Sequence, residues 1–439
     1  MDDRINRRDL VRSGTVASVA ALAGCSSLRP DTEERESETR TDGGTTTDAQ
    51  TPEEQTDGRS PSEFHTPLGT RLADRFVESH DDDPLVLDAE AALEEPGELV
   101  FGTATYTTDQ LQTPDRVDYN DNSYYFRGAG VRNTALVKQP TDGDFIRFDD
   151  GREDEFGNFG GVSKMAVYGG KNSHERASKG NLIHSTGLII DLLFENLIVR
   201  YGYDDGIHVE RSADGVRLHN SWVENNDGWG IVFDGGTRAK VSNLHIIQNG
   251  DGGFRLNTDW SQVTGLSLYQ NTPGLEVRSE SCSVSNVYNK ESGLGVHERG
   301  NATNNNYSNL AFQRVETGIL TDGHASTWNN VAAQDTDTVM HIRGNRHVVT
   351  GVNARDSTLH VGSNATENVL SNVVADVEDR GVRTVVNGQA TNDGDPRDGG
   401  EWHGHAPFAH TVNALVWDTS TSPRTGFRAD GQGTWHPVG

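Results

Sequence analysis

The chain has 439 residues, of which 66 are acidic and 38 are basic, so its formal net charge at pH 7 is −28. A surplus of carboxylates this large repels phosphate backbones and excludes nucleic acid as a partner. Only 33% of the residues are hydrophobic, a proportion typical of disordered chains unless a regular pattern organises the polar residues.

The basic residues are six Lys and thirty-two Arg. Dense carboxylates with scarce lysine resemble the secreted proteins of halophilic archaea. The resemblance implies a surface that stays soluble in molar salt, where the Debye length falls to about 3 Å and the self-repulsion of the carboxylates is screened.

The first 25 residues predict an export signal rather than a folded element. Residues 6–12, Asn-Arg-Arg-Asp-Leu-Val-Arg, are typical of a twin-arginine signal. The apolar stretch at 14–24 is too short to span a bilayer, and residues 22–25, Leu-Ala-Gly-Cys, resemble a lipobox. We therefore predict export by the twin-arginine route and lipidation of Cys25, with the protein anchored on the outer face of the cytoplasmic membrane. The alternative is an ordinary signal peptide whose cleavage removes Cys25.

Residues 26–61 contain very few apolar side chains and are rich in Thr, Glu, Asp and Gly, which predicts a solvated, disordered tether. Cys282 is the only cysteine beyond Cys25, so an intrachain disulfide is excluded once Cys25 is lipidated or removed. We expect Cys282 to be packed and inert rather than nucleophilic.

Two segments in the first half of the chain resemble a known protein family. Residues 88–106 combine a short helical pattern with a strand that ends in Thr-Ala-Thr-Tyr, and residues 125–134 combine a strand with Gly-x-Gly and a Thr. They resemble the opening coils of the pectate-lyase-like β-helix superfamily, and the likeness covers about residues 84 to 390. The resemblance implies a fold but no single activity, because this fold hosts many chemistries.

The central part of the chain repeats itself. One line of sequence, such as Asn-Leu-Ile-Val, recurs at intervals of 21 to 24 residues and begins at 196, 220, 243, 265, 286, 309, 330, 351 and 372. A second line, such as Gly-Ile-His-Val, begins at 206, 230, 253, 274, 293 and 318. Alternating apolar residues indicate strands, and the Asn, Asp and Gly residues between them indicate turns. About 22 residues, at roughly 3.3 Å per strand residue, close one triangular coil.

This repeat predicts an all-β fold, a right-handed single-stranded parallel β-helix over residues 62–399. The Asn that heads the first line is expected to be a turn residue whose side chain hydrogen-bonds from coil to coil. We predict an N-terminal cap within residues 62–95 and a C-terminal cap over residues 400–439, because an open last coil is a sticky edge. His403 and His405 lie in the latter, and we predict no metal site there because a third ligand is lacking.

The repeat also predicts which side chains face outward. If Ile207 and Val209 point inward, His208 and Glu210 point outward. Neighbours in such an outward column are about 4.8 Å apart. One predicted column contains His208, Val232, Arg255, Glu276, Gly295 and Leu320, followed by His341 and His360. The other contains Glu210, Asp234, Asn257, Arg278, His297 and Asp322, with Arg343 at the same step as His341.

The predicted catalytic residues are Glu210, Asp234, Asp205 and His208. Glu210 and Asp234 are adjacent carboxylates, at a spacing near the ~5 Å of retaining glycosidases; residues two coils apart approach the inverting range of about 6.5–9.5 Å. Two like charges this close are expected to raise one pKa, as a general acid requires. The structural alternative is a merely solvated strand face.

The predicted substrate-binding residues are cations and polar groups near these carboxylates. Guanidinium groups suit uronate or sulfate groups. A long excursion at 170–180 adds lysines to an otherwise acidic chain. The set is Arg255, Asn257, Arg278, His297, Lys171 and Lys179.

The resemblance also bears on cofactor and mechanism. In β-eliminating lyases of this fold, Arg or Lys acts as base and carboxylates hold calcium, so Ca²⁺ is the cofactor that the resemblance implies here. Asp204 and Asp205 are similar to the paired aspartates of polygalacturonases. The later Gly-His-Gly and Arg-x-Lys motifs are absent, so no family's catalytic set carries over.

We predict a cell-surface carbohydrate-active protein whose partner is an acidic polysaccharide, with hydrolysis favoured over lyase chemistry. The alternatives are a non-catalytic glycan-binding or adhesive surface protein, and an accessory β-helix of a membrane complex.

Overall fold

The computed structural model describes residues 70–78, 84–114, 123–148, 160–171, 179–187, 189–387, 389–391, 415–418, 425–429 and 435–438. The predicted signal with Cys25, the tether, His403 and His405 lie outside the described residues. Within the described ranges, none of the helices has the length and apolar character needed to cross a membrane.

Short strands make up nearly all of the described structure. The first coils contain β1 (Thr70–Leu72), β2 (Leu85–Val86), β3 (Gly97–Val100), β4 (Thr105–Thr108), β5 (Leu111–Gln112), β6 (Tyr124–Arg127), β7 (Ala135–Lys138), β8 (Ile146–Phe148), β9 (Gly160–Tyr168), β10 (Ile183–Ser185) and β11 (Ile189–Ile190). A 3-10 helix at Ala73–Phe76 and α1 (Ala89–Leu93) lie within the predicted N-terminal cap.

The central coils contain β12 (Leu192–Arg200), β13 (Ile207–Val209), β14 (Ser212–Asp214), β15 (Arg217–Glu224), β16 (Trp229–Thr237), β17 (Lys240–Ile247), β18 (Gly252–Asp259), β19 (Gln262–Tyr269), β20 (Leu275–Val277), β21 (Ser283–Lys290) and β22 (Leu294–Glu298). The last part contains β23 (Asn306–Gln313), β24 (Thr317–Thr321), β25 (Thr327–Gln334), β26 (Thr338–Ile342), β27 (Val348–Val361), β28 (Val369–Asp379), β29 (Thr384–Val386), β30 (Gln389–Thr391), β31 (Leu415–Asp418), β32 (Thr425–Ala429) and β33 (Trp435–Val438).

The strands pair from coil to coil in parallel, which confirms the predicted β-helix. The first ladder runs β9–β12–β15–β17–β19–β21–β23–β25–β27–β28. The second ladder runs β5–β8–β10–β13–β16–β18–β20–β22–β24–β26–β27–β28. A single apolar core extends through the stack. Strands β31 to β33 form an antiparallel sheet.

The Asn residues of the first line lie at a corner within each strand of the first ladder, as predicted. Their φ angles are positive, for example 51° at Asn220 and 54° at Asn243, a conformation that Asn tolerates well. The same position in two other coils is Gly265 and Gly351. The Asn243 side-chain amide donates to Asn220 Oδ1 at 3.1 Å. The corner therefore accounts for these Asn residues structurally.

A second polar column lies inside the helix and runs through Ser261, Cys282, Asn305, Ser326, His347 and Asn368. The backbone N–H of each of the first five residues donates to the side chain of the next one, one coil later. Cys282 Sγ accepts from the Ser261 N–H at 3.4 Å, and burial raises the pKa of the thiol. The prediction that Cys282 is packed is thus confirmed, and its inertness stays a prediction.

His347 makes this column sensitive to acid. Its Nδ1 accepts the Ser326 N–H at 3.3 Å, while its Nε2 lies 3.0 Å from the Gly323 carbonyl oxygen, to which it donates. Burial lowers the pKa of His347 to about 4, because the charged imidazolium loses its hydration inside the coil. The unfolded chain takes up this proton near its ordinary pKa of about 6.5. The stabilisation is therefore present above pH 6.5 and is lost as the pH falls towards 4.

We expect the free energy of unfolding to fall by about 3 kcal/mol through His347 between pH 7 and pH 4. In His347→Asn the pH dependence should be shallower by this amount, since Asn supplies the same acceptor one coil later at Asn368 and two coils earlier at Asn305. Urea denaturation of both proteins at pH 4, 5.5 and 7 measures the difference. Parallel pH profiles for the two proteins would show that His347 is not the responsible group.

A column of glycines sets the register of the second ladder, and here one prediction is wrong. A Cβ on Gly253 would lie 2.3 Å from the Gly274 carbonyl oxygen, and one on Gly274 would lie 2.8 Å from that of Gly295. The repeated glycine of this coil is therefore Gly295 and not Gly293. Since residues 293–296 read Gly-Leu-Gly-Val, the sequence pattern allowed both choices. The register of this coil therefore shifts by two residues, and His297 pairs with Glu276 instead of the predicted Arg278.

Candidate functional site

The second ladder carries one outward side chain per coil in a continuous column. The paired residues are Arg147, His184, His208, Val232, Arg255, Glu276, His297, Leu320, His341 and His360. Ile207 and Val209 are buried, which confirms the predicted orientation of β13. Val232 and Glu276 are buried although they belong to the outward column.

His208 lies between two of the predicted carboxylates. Its Nδ1 is 3.0 Å from Asp205 Oδ2, and its Nε2 is 3.8 Å from Asp234 Oδ2. Asp205 is itself held in place, since its Oδ1 accepts the Trp229 N–H at 2.6 Å. The turn before β13 and the end of β16 thus bring three of the four predicted catalytic residues together.

A second histidine repeats this arrangement one coil earlier. His184 Nδ1 is 2.6 Å from Asp144 Oδ2, and His184 Nε2 is 3.1 Å from Glu210 Oε1. The two imidazole rings are 5.1 Å apart. Burial lowers the pKa of His184, but the hydrogen bond and charge of Asp144 and the charge of Glu210 outweigh it, so the net pKa is raised. His184 therefore holds a proton more strongly than a free imidazole.

Asp144 responds in the opposite direction. Burial raises the pKa of its carboxyl, but His184, the Asn181 N–H and Arg147 together hold that pKa below its ordinary value. The carboxylate therefore stays ionised beside the imidazole and fixes which nitrogen of His184 faces Glu210.

Glu210 and Asp234 lie on neighbouring coils, since Val209 pairs with Phe233 and each carboxylate follows directly. Each has its own imidazole, and Asp234 Oδ2 also lies 3.5 Å from Arg255 Nη1. The two carboxylates are therefore part of a mixed network of acids and bases.

Arginines surround a buried carboxylate further along the column. Glu276 is 1% exposed and accepts hydrogen bonds from Arg278 Nε at 2.7 Å and Arg299 Nε at 2.8 Å. Arg255 Nε lies 4.0 Å from the same carboxylate, and its guanidinium lies over the Trp229 ring at 4.7 Å. The three guanidiniums are shared between two carboxylates, Glu276 and Asp234, so these five side chains carry a surplus of one positive charge on an acidic protein.

The remaining predicted residues take separate places. Asn257 pairs with Asp234 in the ladder, and His297 Nε2 lies 3.0 Å from Asp322 Oδ2. The Lys171 ammonium contacts Asp227. The backbone N–H of Lys179, rather than its side chain, donates to Asp142 Oδ1 at 3.2 Å. The loop between the two lysines, residues 172–178, lies outside the described residues.

His184, Asp144 and Arg299 belong to the site but were not predicted from the sequence. One pattern was available for the first of these, because Ile183-His184 repeats as Ile207-His208 after 24 residues. No comparable pattern marks Asp144, whose role depends on a contact with a residue 40 positions later.

Comparisons with known proteins support the fold. No protein-family model and no curated protein sequence matches this chain. Among solved structures, the gp42 tailspike of Acinetobacter phage vb_AbaP_AS12 is similar with a TM-score of 0.52 and 9% identity, over 84% of this chain and 82% of that one. The full-length tailspike protein 2 of an Escherichia coli O157:H7 bacteriophage has a TM-score of 0.50 and 11% identity, over 63% of this chain.

This chain spans only 41% of that full-length tailspike and 46% of its enzymatically active domain. The A-module of the Azotobacter vinelandii mannuronan C-5 epimerase AlgE6 also matches, with a TM-score of 0.36 and 14% identity, over 72% of this chain and 98% of that one. At these identities the tailspike matches establish a shared parallel β-helix fold, which agrees with the resemblance drawn from the sequence.

Proposed function

We propose that this protein binds an acidic polysaccharide along the outward face of the second ladder and cleaves it beside His184 and His208. The observation that carries the proposal is the direct succession, on one strand face, of two carboxylate–imidazole–carboxylate chains and an arginine cluster.

The shape of the face favours an extended ligand. The column from Arg147 to His360 spans nine coil steps, and at about 4.8 Å per step it extends over roughly 40 Å. Its side chains are polar and charged at most steps. Such a surface suits a chain of sugars that lies along the helix axis better than a single small molecule.

The charges on the face favour an acidic ligand. The side chains of Arg278 and Arg299 are 37% and 44% exposed. Arg278 binds Glu276 through Nε, and Arg299 binds it through Nε and Nη2 at 2.5 Å, so part of each guanidinium is left for a ligand. An exposed guanidinium edge pairs with a carboxylate or sulfate through two parallel hydrogen bonds. On a chain of net charge −28, this cluster is a local exception that attracts uronate groups.

The histidine region supplies what bond cleavage requires. Glycoside cleavage requires one group that protonates the leaving oxygen and one that activates water, attacks the sugar, or removes a proton. Glu210 and Asp234 supply these groups for hydrolysis. For β-elimination, an imidazole or an arginine removes the proton, and the neighbouring guanidinium groups stabilise the negative charge that develops on the sugar.

A panel of acidic and neutral polysaccharides, assayed in molar salt, tests the proposal. Reducing-sugar release reports cleavage of either kind, and absorbance of the unsaturated product appears only with β-elimination. We expect cleavage of at least one uronate- or sulfate-bearing polymer and none of neutral polymers. Failure of every polymer to be cleaved or retained contradicts the proposal.

The arginine cluster yields a separate prediction. We expect Arg278→Gln to weaken binding of the acidic polymer about tenfold or more, because a charge-assisted hydrogen bond contributes about 1.5–3 kcal/mol. The matched control is Arg217→Gln, a comparably exposed arginine on the first ladder. Affinity electrophoresis of both variants, with melting curves to confirm folding, measures the difference. Equal loss in the two variants would point to a non-specific charge effect.

A non-catalytic glycan-binding protein is the second candidate. Trp222 and Tyr288 are exposed on the outer face of the first ladder, and the Trp222 ring stacks on His245 at 5.2 Å. Exposed aromatic rings offer flat apolar surfaces to sugars. Under this function the wild-type protein retains polysaccharide but shows no turnover. Membrane attachment through Cys25 remains a prediction for either function.

A further inference from the structure

Three potential metal ligands meet where the two histidine-bearing coils are stacked. One ligand atom from each of His184, His208 and Glu210 lies within 4.8 Å of the other two. His184 Nε2 and Glu210 Oε1 are already 3.1 Å apart. Two ligands at about 2.0–2.2 Å from a tetrahedral Zn²⁺ lie roughly 3.3 Å from each other. The His184–Glu210 pair already has this spacing, and the His208 ligand atom, within 4.8 Å of both, would have to move closer by no more than about 1.5 Å.

The orientation of the two imidazoles is a second, independent observation. Each ring is held through its Nδ1 atom by a carboxylate, Asp144 for His184 and Asp205 for His208. Each of these carboxylates is anchored in turn by a backbone N–H, that of Asn181 at 2.9 Å and that of Trp229 at 2.6 Å. Both Nε2 atoms are thereby left for another partner. Metal-binding histidines are oriented in this way by outer carboxylates.

Asp234 adds a fourth group at the edge of the cluster. Its Oδ2 lies 3.8 Å from His208 Nε2. Its Oδ1 is buried and has no hydrogen-bond partner among the described residues. A buried carboxylate oxygen without a partner is costly unless a donor or a cation satisfies it.

We propose that His184, His208 and Glu210 bind a divalent first-row transition metal such as Zn²⁺, with Asp205 and Asp144 as positioning residues. Two imidazole nitrogens and one carboxylate suit such an ion, whereas Ca²⁺ prefers oxygen ligands throughout. The site therefore differs from the calcium site that the family resemblance implies. Three coordinating side chains leave a fourth coordination position for water or for an oxygen atom of a bound molecule. Metal binding of this kind does not depend on polysaccharide cleavage; in the metal-bound protein Glu210 would be a ligand rather than a general acid or base.

Isothermal titration of the chelator-treated full chain with ZnCl₂ tests this proposal without any activity measurement. We expect one Zn²⁺ to bind at this site, and His184→Ala and His208→Ala each to weaken that binding by more than tenfold. Asp205→Asn, which retains both ligands, should weaken it by about ten- to a hundredfold. Titration with CaCl₂ should give no heat that depends on either histidine.

Two controls separate this site from other histidines. His297→Ala removes an imidazole from the same column that also faces carboxylates, and the double variant His403→Ala with His405→Ala removes a His-Gly-His pair elsewhere in the chain. Both should retain the Zn²⁺ site. Co²⁺ in place of Zn²⁺ gives a visible spectrum that should be lost in His208→Ala.

The proposal is overturned if Zn²⁺ does not bind, if binding survives in both His184→Ala and His208→Ala, or if His297→Ala weakens it equally. Circular dichroism and melting curves establish that each variant is folded. Should an alanine variant not fold, Asp205→Asn and the Co²⁺ spectrum of the wild-type protein decide the matter.

Discussion

We expect Glu210→Gln and Asp234→Asn each to lower kcat on a cleaved polysaccharide by about 10²–10⁴-fold, the usual contribution of a positioned acid or base. Both substitutions preserve side-chain shape but remove the negative charge and the ability to hold or transfer a proton. Glu210 faces His184, and Asp234 faces His208 and Arg255. Each substitution therefore removes one carboxylate from one of the two carboxylate–imidazole–carboxylate arrangements. Initial rates at saturating substrate, with melting curves for each variant, measure the effect.

A carboxylate away from this face provides the control. Glu291 pairs with Arg314 and accepts a hydrogen bond from Tyr269 at 2.5 Å, and Glu291→Gln is expected to leave kcat unchanged. If all three variants lose rate equally, the effect reflects the fold as a whole. If Glu210→Gln and Asp234→Asn both keep wild-type rates, the assignment of these carboxylates is wrong, although the polysaccharide could still bind at the arginine cluster.

Trp328→Ala lowers the free energy of unfolding by about 3–5 kcal/mol, the usual cost of removing a large buried aromatic side chain. Trp328 is fully buried, and its ring stacks on that of Tyr307 at 3.7 Å with an interplanar angle of 4°. The two side chains come from paired positions of β23 and β25. Because each coil contributes few core side chains, the neighbours cannot easily close the cavity that remains.

Urea denaturation at constant salt measures this loss, with Trp260→Ala as the control. Trp260 is 54% exposed, so its replacement is expected to change stability by less than about 0.5 kcal/mol. Trp328→Phe is also informative, since Trp328 Nε1 is buried without a hydrogen-bond partner among the described residues. We expect it to lose much less than the alanine variant. Equal stability of Trp328→Ala and the wild type would contradict the close packing of these coils.

Most of the fold could be predicted because the repeat records one structural role at the same place in every coil. The Asn at the corner adopts a positive φ in successive coils, and the inward positions of β13 were identified correctly from alternation alone. The register failed where two glycines, Gly293 and Gly295, satisfied the same pattern. There the choice depends on which backbone carbonyl lies against the missing Cβ.

The candidate site could be predicted only in part. Asp205, His208, Glu210 and Asp234 do lie together, because all four belong to two adjacent coils in which the register was correct. The arginine cluster was incomplete, since Arg299 could join Glu276 only after the register of β22 was corrected. The expected mutual repulsion of Glu210 and Asp234 is replaced by contacts with separate imidazoles.

The sequence by itself therefore determined the β-helix, its corners and the strand face on which charged residues gather. These features follow from a period and from the backbone preferences of single residues, both of which are local. Only the tertiary structure decided the partners of each side chain. Asp144 and His184 are 40 residues apart, and Glu276 and Arg299 are 23 apart. Such contacts depend on the stacking register and on side-chain direction in the turns, which no periodic pattern specifies.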